Sequence, residues 1–272
     1  MSGKNVEQNE SASLNSAWAG PMTPTKRFSN RVENYVRYRP RYPIEIVPTL
    51  QQECGLTKDS VIADIGSGTG FLTELFLENA NTVFGIEPNR EMREAGDRLL
   101  KRYQRFTSVN GTAEATTLPD NRVDFIASGQ AFHWFDRTKC RMEFVRILKR
   151  PGWVVLIWND RRTDTSPFPA GYESLLETYA TDYKEVNHKR VDSAVLQEFF
   201  GAKPNCSIFP NFQHLDFEGL KGRLLSSSYA PEAGQPKHEE MLAALKELFD
   251  THQQSGKVTF EYDTTVSYGQ LE

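Results

Sequence analysis

Short apolar runs alternate with amphipathic stretches along the middle of this chain. The apolar runs predict strands over residues 61–65, 82–87, 106–110, 123–128 and 153–158. Between them, apolar residues at helical spacing predict helices over 69–79, from an Asn89 cap to about Tyr103, and over 136–149 with an Asp136 cap. Strands separated by helices imply right-handed crossovers. The pattern therefore predicts an α/β fold with a doubly wound, mostly parallel sheet.

The regular alternation stops after Asn159. Helical patterns follow over 168–186, 194–200, 220–227 and 238–252. Two further strands are expected over 209–217 and 258–268, because the second of these segments alternates apolar and polar residues. One antiparallel hairpin at the edge of the sheet would accommodate both late strands and give a seven-stranded sheet. The helices between them would form a lid.

Two segments precede the regular part of the chain. Residues 1–27 are rich in Ser, Asn and Glu and lack the apolar core of a signal peptide, so we expect a disordered leader. Residues 28–42 concentrate tyrosine and arginine, and a short helix is expected over 30–38 before Pro40. This segment is predicted to cap a ligand through Tyr35, Tyr38 and Arg39. A packed segment with solvated arginines is the alternative. A helix over 44–52 follows.

Composition and charge exclude several classes of function. A chain of 272 residues with 38% hydrophobic and 25% charged residues can bury one sizeable core. The formal net charge of −4 offers no basic surface for nucleic acid, and no apolar run reaches transmembrane length. Cys54, Cys140 and Cys206 are too widely spaced for a disulfide framework or a metal cluster. We therefore expect a cytoplasmic protein without metal, nucleic acid or membrane; the oligomeric state stays open.

The glycine-rich turn after the first strand is the strongest functional signal. Asp64 lies at the end of the strand, and Gly66, Gly68 and Gly70 follow at alternate positions. Glycine permits backbone angles that other residues avoid, and it lets the main chain approach a ligand at the start of a helix. The dinucleotide motif G-x-G-x-x-G requires Gly or Ala where Phe71 stands, which disfavours a nicotinamide oxidoreductase. A structural turn without a ligand is the alternative.

Further polar residues fall at the ends of the neighbouring strands. Glu87 ends the second strand about 20 residues after the glycines, where nucleotide-binding α/β folds hold ribose hydroxyls. Residues 112–113 follow the third strand, and residues 128–130 end the fourth. Because the carboxyl ends of parallel strands meet at one edge of the sheet, these loops predict a single pocket. For Glu87, a solvated acid at a strand end is the alternative.

These motifs together resemble the class I S-adenosylmethionine-dependent methyltransferases. The turn DIGSGTG has their form D/E-x-G-x-G-x-G, and RYRPRYP, GTAEATTLP, ASGQAFHWFD and LLSSSYAP look like the small-molecule "type 11" branch that includes trans-aconitate methyltransferase. The resemblance covers about residues 28–270 and implies a Rossmann-like methyltransferase fold. It implies one domain over 28–272, with an N-terminal cap (28–55), a cofactor-binding core (56–160), a helical lid with a late strand (161–256) and a last strand (257–270).

The motifs that carry the resemblance also point to individual site residues. Those expected to bind S-adenosylmethionine are Asp64, Gly66, Ser67, Gly68, Gly70, Glu87, Thr112, Ala113, Ser128, Gln130 and Arg39. Those expected in the substrate pocket are Tyr35, Tyr38, Trp134, Trp158 and Tyr229. Related proteins often carry Asp where this chain has Thr112, so its contact with adenine is a departure from the pattern. His133 would act as a general base or only shape the pocket.

The sequence thus predicts a methyltransferase that moves a methyl group to a small-molecule acceptor by in-line displacement, which alignment and desolvation would accelerate. Two alternatives keep the fold and the cofactor. One is a cyclase or pericyclic catalyst that uses the sulfonium only as a charge, and the other is a regulatory subunit without turnover. The sequence does not indicate whether the acceptor atom is oxygen, nitrogen or carbon.

Overall fold

A single sheet of seven strands forms the centre of the described residues. The computed structural model describes residues 29–183 and 191–271, so the predicted leader lies outside it. The strands are β1 Val61–Ile65, β2 Thr82–Ile86, β3 Phe106–Val109, β4 Val123–Gly129, β5 Leu148–Arg161, β6 Asn205–Leu215 and β7 Val258–Gly269. Their order is β3-β2-β1-β4-β5-β7-β6. Neighbours from β3 to β5 pair in parallel, whereas β7 runs antiparallel to both β5 and β6. The predicted doubly wound sheet is confirmed.

Helices pack on both faces of this sheet and beyond its carboxyl edge. They are α1 Val32–Tyr38, α2 Ile46–Cys54, α3 Phe71–Glu78, α4 Arg90–Leu100, α5 Arg137–Ile147, α6 Pro167–Tyr179, α7 Ser193–Phe200, α8 Phe217–Leu225 and α9 His238–His252. A short 3-10 turn, Phe132–Trp134, follows β4. None of the helices in the described residues is both long and apolar enough to cross a membrane.

Several element boundaries differ from the prediction; the strand expected over 209–217, for example, is Asn205–Leu215, because it pairs with β7 from Asn205 onward. The helix expected over 136–149 ends at Ile147, and β5 begins at Leu148 rather than 153, because Leu148 already pairs with Val123 of β4. The helix expected over 168–186 ends at Tyr179, where Ala180 turns to an extended conformation. Its last predicted residues, 184–186, lie outside the described residues.

Alternate residues of the central strands pack into opposite layers. Ile62 of β1 belongs to a cluster with Leu50 and Phe76, on the side of α2 and α3. Ile65 belongs to a second cluster with Phe144, on the side of α5 and α7. The strand is therefore buried on both sides, as expected for a parallel sheet between helices.

A third apolar cluster builds the lid. It joins α6, α8 and α9 to β7 through a set of buried side chains that includes Tyr172, Leu220, Met241 and Phe260. The N-terminal helix α1 rests on the lid, since Tyr38 packs against Gly222 of α8 and its carbonyl accepts a hydrogen bond from Gln213. The cap and the lid are thus joined to each other above the carboxyl edge of the sheet.

Candidate functional site

A cavity opens at the carboxyl ends of β1, β4 and β5. Three parts of the chain form its wall. The sheet edge contributes Asp64, Gly66, Ser67, Thr69, Gly129, Gln130 and residues 159–161; the N-terminal segment contributes Tyr35, Arg39, Pro40 and Tyr42; and the lid contributes Arg223, Ser228, Tyr229 and Tyr262. The cavity therefore lies where the crevice rule for open α/β sheets places ligands.

The glycine turn after β1 is tightly packed. Gly66 adopts the left-handed conformation with φ +71°, and its N–H donates to the carbonyl of Ile86 at 2.9 Å. A Cβ on Gly66 would lie 2.6 Å from the Cβ of Ala131, closer than two carbon atoms can approach. Only glycine thus fits where the turn meets the segment after β4.

Asp64 places an unsatisfied acceptor in the cavity wall. Its side chain is fully buried, and Oδ2 accepts a hydrogen bond from the Thr73 hydroxyl at 2.6 Å. Oδ1 has no partner among the described residues, and neither does the buried hydroxyl of Thr69 in the same wall. Burial raises the pKa of Asp64 to about 7, because the hydrogen bonds from Thr73 offset only part of the desolvation and Glu87 adds repulsion. These two atoms fit a ligand that brings hydrogen-bond donors, and a cationic donor above all.

Glu87 accepts hydrogen bonds from the backbone of the glycine turn and of the segment before α4. Its carboxylate accepts from the N–H of Gly68 at 2.9 Å and from the N–H of Asn89 at 2.8 Å. Burial raises its pKa, while these two backbone hydrogen bonds lower it. The carboxylate therefore ties the turn to the start of α4 and does not line the cavity. Both oxygens keep a further lone pair, so its contact with ribose stays a prediction.

The structure brings about half of the expected site residues together. Those that line the cavity are Tyr35, Arg39, Asp64, Gly66, Ser67, Gln130, His133, Trp134 and Tyr229. Those that lie outside its wall are Tyr38, Gly68, Gly70, Glu87, Thr112, Ala113, Ser128 and Trp158.

The residues outside the wall have structural contacts that explain their positions. Trp158 is 5% exposed and packs edge-on against Phe132 in the cluster beneath the sheet. Ser128 is buried and donates its hydroxyl hydrogen to the carbonyl of Ile65 at 2.9 Å. Thr112 pairs with Ala115 in a small bridge beyond β3.

Several wall residues were not expected from the sequence. Arg161 ends β5, and its place at a strand end was the available signal, because the crevice rule applies there as well. Arg223 lies on the apolar face of α8 between Leu220 and Leu224, where a charged residue is unusual. Thr69 lies within the glycine turn itself. Neither arginine was among the residues predicted from the sequence; of the turn, Asp64, Ser67 and the glycines were predicted to bind the cofactor, but Thr69 was not.

Comparison with known proteins identifies the type of domain. Residues 63–156, from β1 into β5, match the family model described as a methyltransferase domain. This part of the chain is therefore similar to methyltransferase domains. A methyltransferase-like protein of Schizosaccharomyces pombe is 29% identical over 227 residues, which are 83% of this chain and 87% of that protein. An uncharacterised methyltransferase of Mycobacterium tuberculosis is 34% identical over 134 residues, which are 49% of this chain and 52% of that protein.

Solved structures share the fold of this methyltransferase domain. A protein of Anaeromyxobacter dehalogenans designated a type II methyltransferase superposes with a TM-score of 0.62 at 19% identity, covering 86% of this chain and 98% of that chain. A methyltransferase assigned to antibiotic biosynthesis in Anabaena variabilis gives a TM-score of 0.59 at 23% identity, covering 85% and 98%. The expected methyltransferase fold is therefore confirmed.

Proposed function

We propose that this methyltransferase uses S-adenosylmethionine to methylate a small-molecule acceptor in the cavity at the carboxyl edge of the sheet. The observation that carries the proposal is the buried Oδ1 of Asp64 beside the glycine turn, which has no partner among the residues that the structure describes. The amino-acid part of the cofactor has an ammonium group, which is the kind of donor that such a carboxylate accepts best. The unpartnered hydroxyl of Thr69 offers a second hydrogen bond.

The residues of the cavity would position the two reactants and exclude water. S-adenosylmethionine supplies a methyl group on a sulfonium, which a nucleophile takes by displacement. The backbone of Gly66 and Ser67 would lie against the cofactor, and the rings of Phe71 and Trp134 would shield it. The lining supports a small acceptor, because Tyr229 of the lid and Tyr262 of β7 both stand in the cavity wall.

His133 is suited to receive a proton from the acceptor. It lies on the 3-10 turn after β4 with its ring 4.8 Å from that of Trp134, and both residues line the cavity. An imidazole titrates near neutral pH and can act as a general base for a hydroxyl or an amine. We include in the proposal one domain over 28–272, because cap, core and lid all contribute to this wall. The free thiols of Cys54, Cys140 and Cys206 fit a reducing cytoplasm.

Calorimetric titration with S-adenosylmethionine and S-adenosylhomocysteine tests the proposal, with NAD as the control ligand. We expect Kd values on the order of micromolar for the first two and no heat from NAD. Acceptors are then screened by mass spectrometry for the gain of one methyl group. Failure to bind either sulfur compound would overturn the proposal. A product of unchanged mass would favour the cyclase or pericyclic alternative.

The affinity for S-adenosylhomocysteine should rise with pH through neutrality. Asp64 has a folded-state pKa of about 7 against about 3.9 in an unfolded chain. Without ligand, its contribution to stability is therefore present at low pH and is lost as the pH rises through about 7. A bound ammonium needs the ionised carboxylate, so binding releases a proton below pH 7, and the affinity increases about tenfold from pH 6 to pH 8.

Titration in two buffers of different ionisation enthalpy measures that proton release. Asp64→Asn should weaken the binding of S-adenosylhomocysteine and remove the part of its pH dependence that comes from the protein. The matched control is Asp97→Asn on the exposed side of α4, which should leave both unchanged. An unaltered pH profile in Asp64→Asn would show that this carboxylate does not meet the ligand.

A further inference from the structure

The lid side of the cavity carries an unusual concentration of buried positive charge. Arg161 at the end of β5, Arg223 on α8 and Arg39 after α1 all line the same space. Arg39 is engaged by neutral groups of the lid, since it donates to the hydroxyl and the carbonyl of Ser226 at 3.0 and 2.9 Å. Arg39 therefore joins the cap to the lid. The burial of the other two guanidinium groups needs a different explanation.

Arg223 is buried without a carboxylate partner among the described residues. Its residue exposure is 5%, and its hydrogen bond from Nη1 to the Ser227 hydroxyl is long at 3.3 Å. Its Nε is buried and has no partner in the part of the chain that the structure describes. A buried charge without a counter-ion is strongly unfavourable. Its position in a cavity wall indicates that a ligand supplies the missing anion.

Arg161 is only partly neutralised. Its side chain is 10% exposed, Nη2 pairs with Glu173 at 2.5 Å, and Nε is buried without a partner among the described residues. Glu173 also accepts a hydrogen bond from the Tyr183 hydroxyl at 2.7 Å. The guanidinium lies 4.7 Å from the ring centre of Tyr172, which fixes its plane from one side.

Two further carboxylates line the wall, those of Asp160 and Asp64. The carboxylate of Asp160 accepts from Thr265 at 3.1 Å, and Asp64 lies on the glycine-turn side. The pKa of Tyr229 reflects the positive potential that the arginines create. Burial raises its pKa, but the positive charges of Arg161, Arg223 and Arg39 outweigh this effect and lower the pKa below its usual range. The lid side of the cavity thus favours an anion.

We propose that the methyl acceptor carries a carboxylate and that Arg161 and Arg223 bind it. This inference rests on the proposed function and names the class of its substrate. Guanidinium groups are planar and always charged, and they donate two parallel hydrogen bonds to a carboxylate. The unpartnered Nε atoms of the two arginines provide donors for this contact. The carboxylate is the group by which the acceptor is held opposite the cofactor.

The test uses the full chain saturated with S-adenosylhomocysteine. The probes are short aliphatic and aromatic mono- and dicarboxylic acids, each paired with its primary amide, and phenyl phosphate as a different oxyanion. Binding is measured by calorimetry and by the shift in Tm. We expect acids to bind and their amides to fail. Arg161→Gln or Arg223→Gln should weaken the acids about tenfold to a hundredfold, as for the loss of a hydrogen bond between charged groups.

Three controls separate this inference from a structural role of the arginines and from the cofactor proposal. Arg90→Gln removes an exposed arginine that pairs with Glu94, and it should change neither binding. S-adenosylhomocysteine should bind both cavity variants as it binds the unmodified chain, which shows that they are folded. Arg223→Lys should restore part of the acid binding, because it restores the charge without the planar geometry.

Each outcome decides the inference. If S-adenosylhomocysteine binds and the acids do not bind more tightly than their amides, the inference is wrong while the proposed cofactor stands; Tyr229 or Asp160 then balances the charge of the arginines within the protein. Tighter binding of phenyl phosphate than of every acid would overturn the assignment to a carboxylate. If the unmodified chain does not bind S-adenosylhomocysteine, the proposed function is overturned instead.

Discussion

Replacing Gly66 with alanine is expected to weaken the binding of S-adenosylmethionine about a hundredfold and to reduce methyl transfer by at least as much. The new Cβ would lie 2.6 Å from the Cβ of Ala131, so the turn after β1 and the segment after β4 cannot both stay in place. The left-handed φ of +71° adds strain of about 1–2 kcal/mol. Both displaced segments line the cavity, and a shift of about 1 Å there suffices for a loss of this size. Calorimetric titration and the initial rate measure the two effects.

Gly55→Ala is the matched control. Gly55 ends α2 with φ +70°, nearly the same backbone strain, but a Cβ there has no atom within 4 Å. Gly55→Ala should therefore lose about 1–2 kcal/mol of unfolding free energy from backbone strain alone, and Gly66→Ala should lose more because of its close contact with Ala131. Only Gly66→Ala should lose binding. Normal binding in Gly66→Ala would show that the ligand does not depend on the glycine turn.

The sequence was sufficient where the deciding interactions are local. Asn89 caps α4 as predicted, with its side chain accepting from the N–H of Met92 at 2.9 Å. Asp136 caps α5 in the same way through the N–H of Lys139. Caps, glycine turns and apolar periodicity involve residues within a few positions of each other, so a single segment contains all the information needed.

The sequence was insufficient where distant segments meet. β5 begins at Leu148 because β4, more than 20 residues earlier, offers Val123 as a partner. Arg161 at the end of β5 and Arg223 on α8 meet in one cavity wall although they are far apart in the sequence, and charged residues are otherwise expected in solvent. Neither fact is visible in a local pattern.

Trp158 illustrates an intermediate case. Its neighbours Leu156 and Val154 pack in the cluster on the side of α5 and α7, and the alternation of a strand places Trp158 on that same face. Its position near a strand end predicted a place in the cavity wall. The alternation of side chains along the strand instead directs Trp158 into the apolar cluster. Tyr35 and Arg39 line the cavity wall, and the concentration of aromatic and basic residues around them, beyond what a linker requires, was the signal that singled them out.

Replacing Phe132 with alanine is expected to lower the free energy of unfolding by about 3–5 kcal/mol. The side chain is 1% exposed, and its ring meets Phe199 at 4.6 Å, Phe135 at 5.9 Å and Trp158 at 6.3 Å between centroids. Removal of the ring leaves a cavity between β4, β5 and α7 that rigid neighbours cannot fill. Urea denaturation measures the change through the shift of the midpoint at constant m.

Phe212→Ala is the control, because Phe212 is 54% exposed on β6 and should lose less than about 1 kcal/mol. A loss of similar size in both variants would mean that the buried ring of Phe132 contributes no more to stability than the exposed ring of Phe212. Phe132 also begins the turn that carries His133 and Trp134 into the cavity wall. A saturating ligand stabilises the unmodified chain by about 2.7 kcal/mol at a hundred times its Kd. We expect a smaller gain in Phe132→Ala at the same ligand concentration, since the turn that shapes the cavity loses its support.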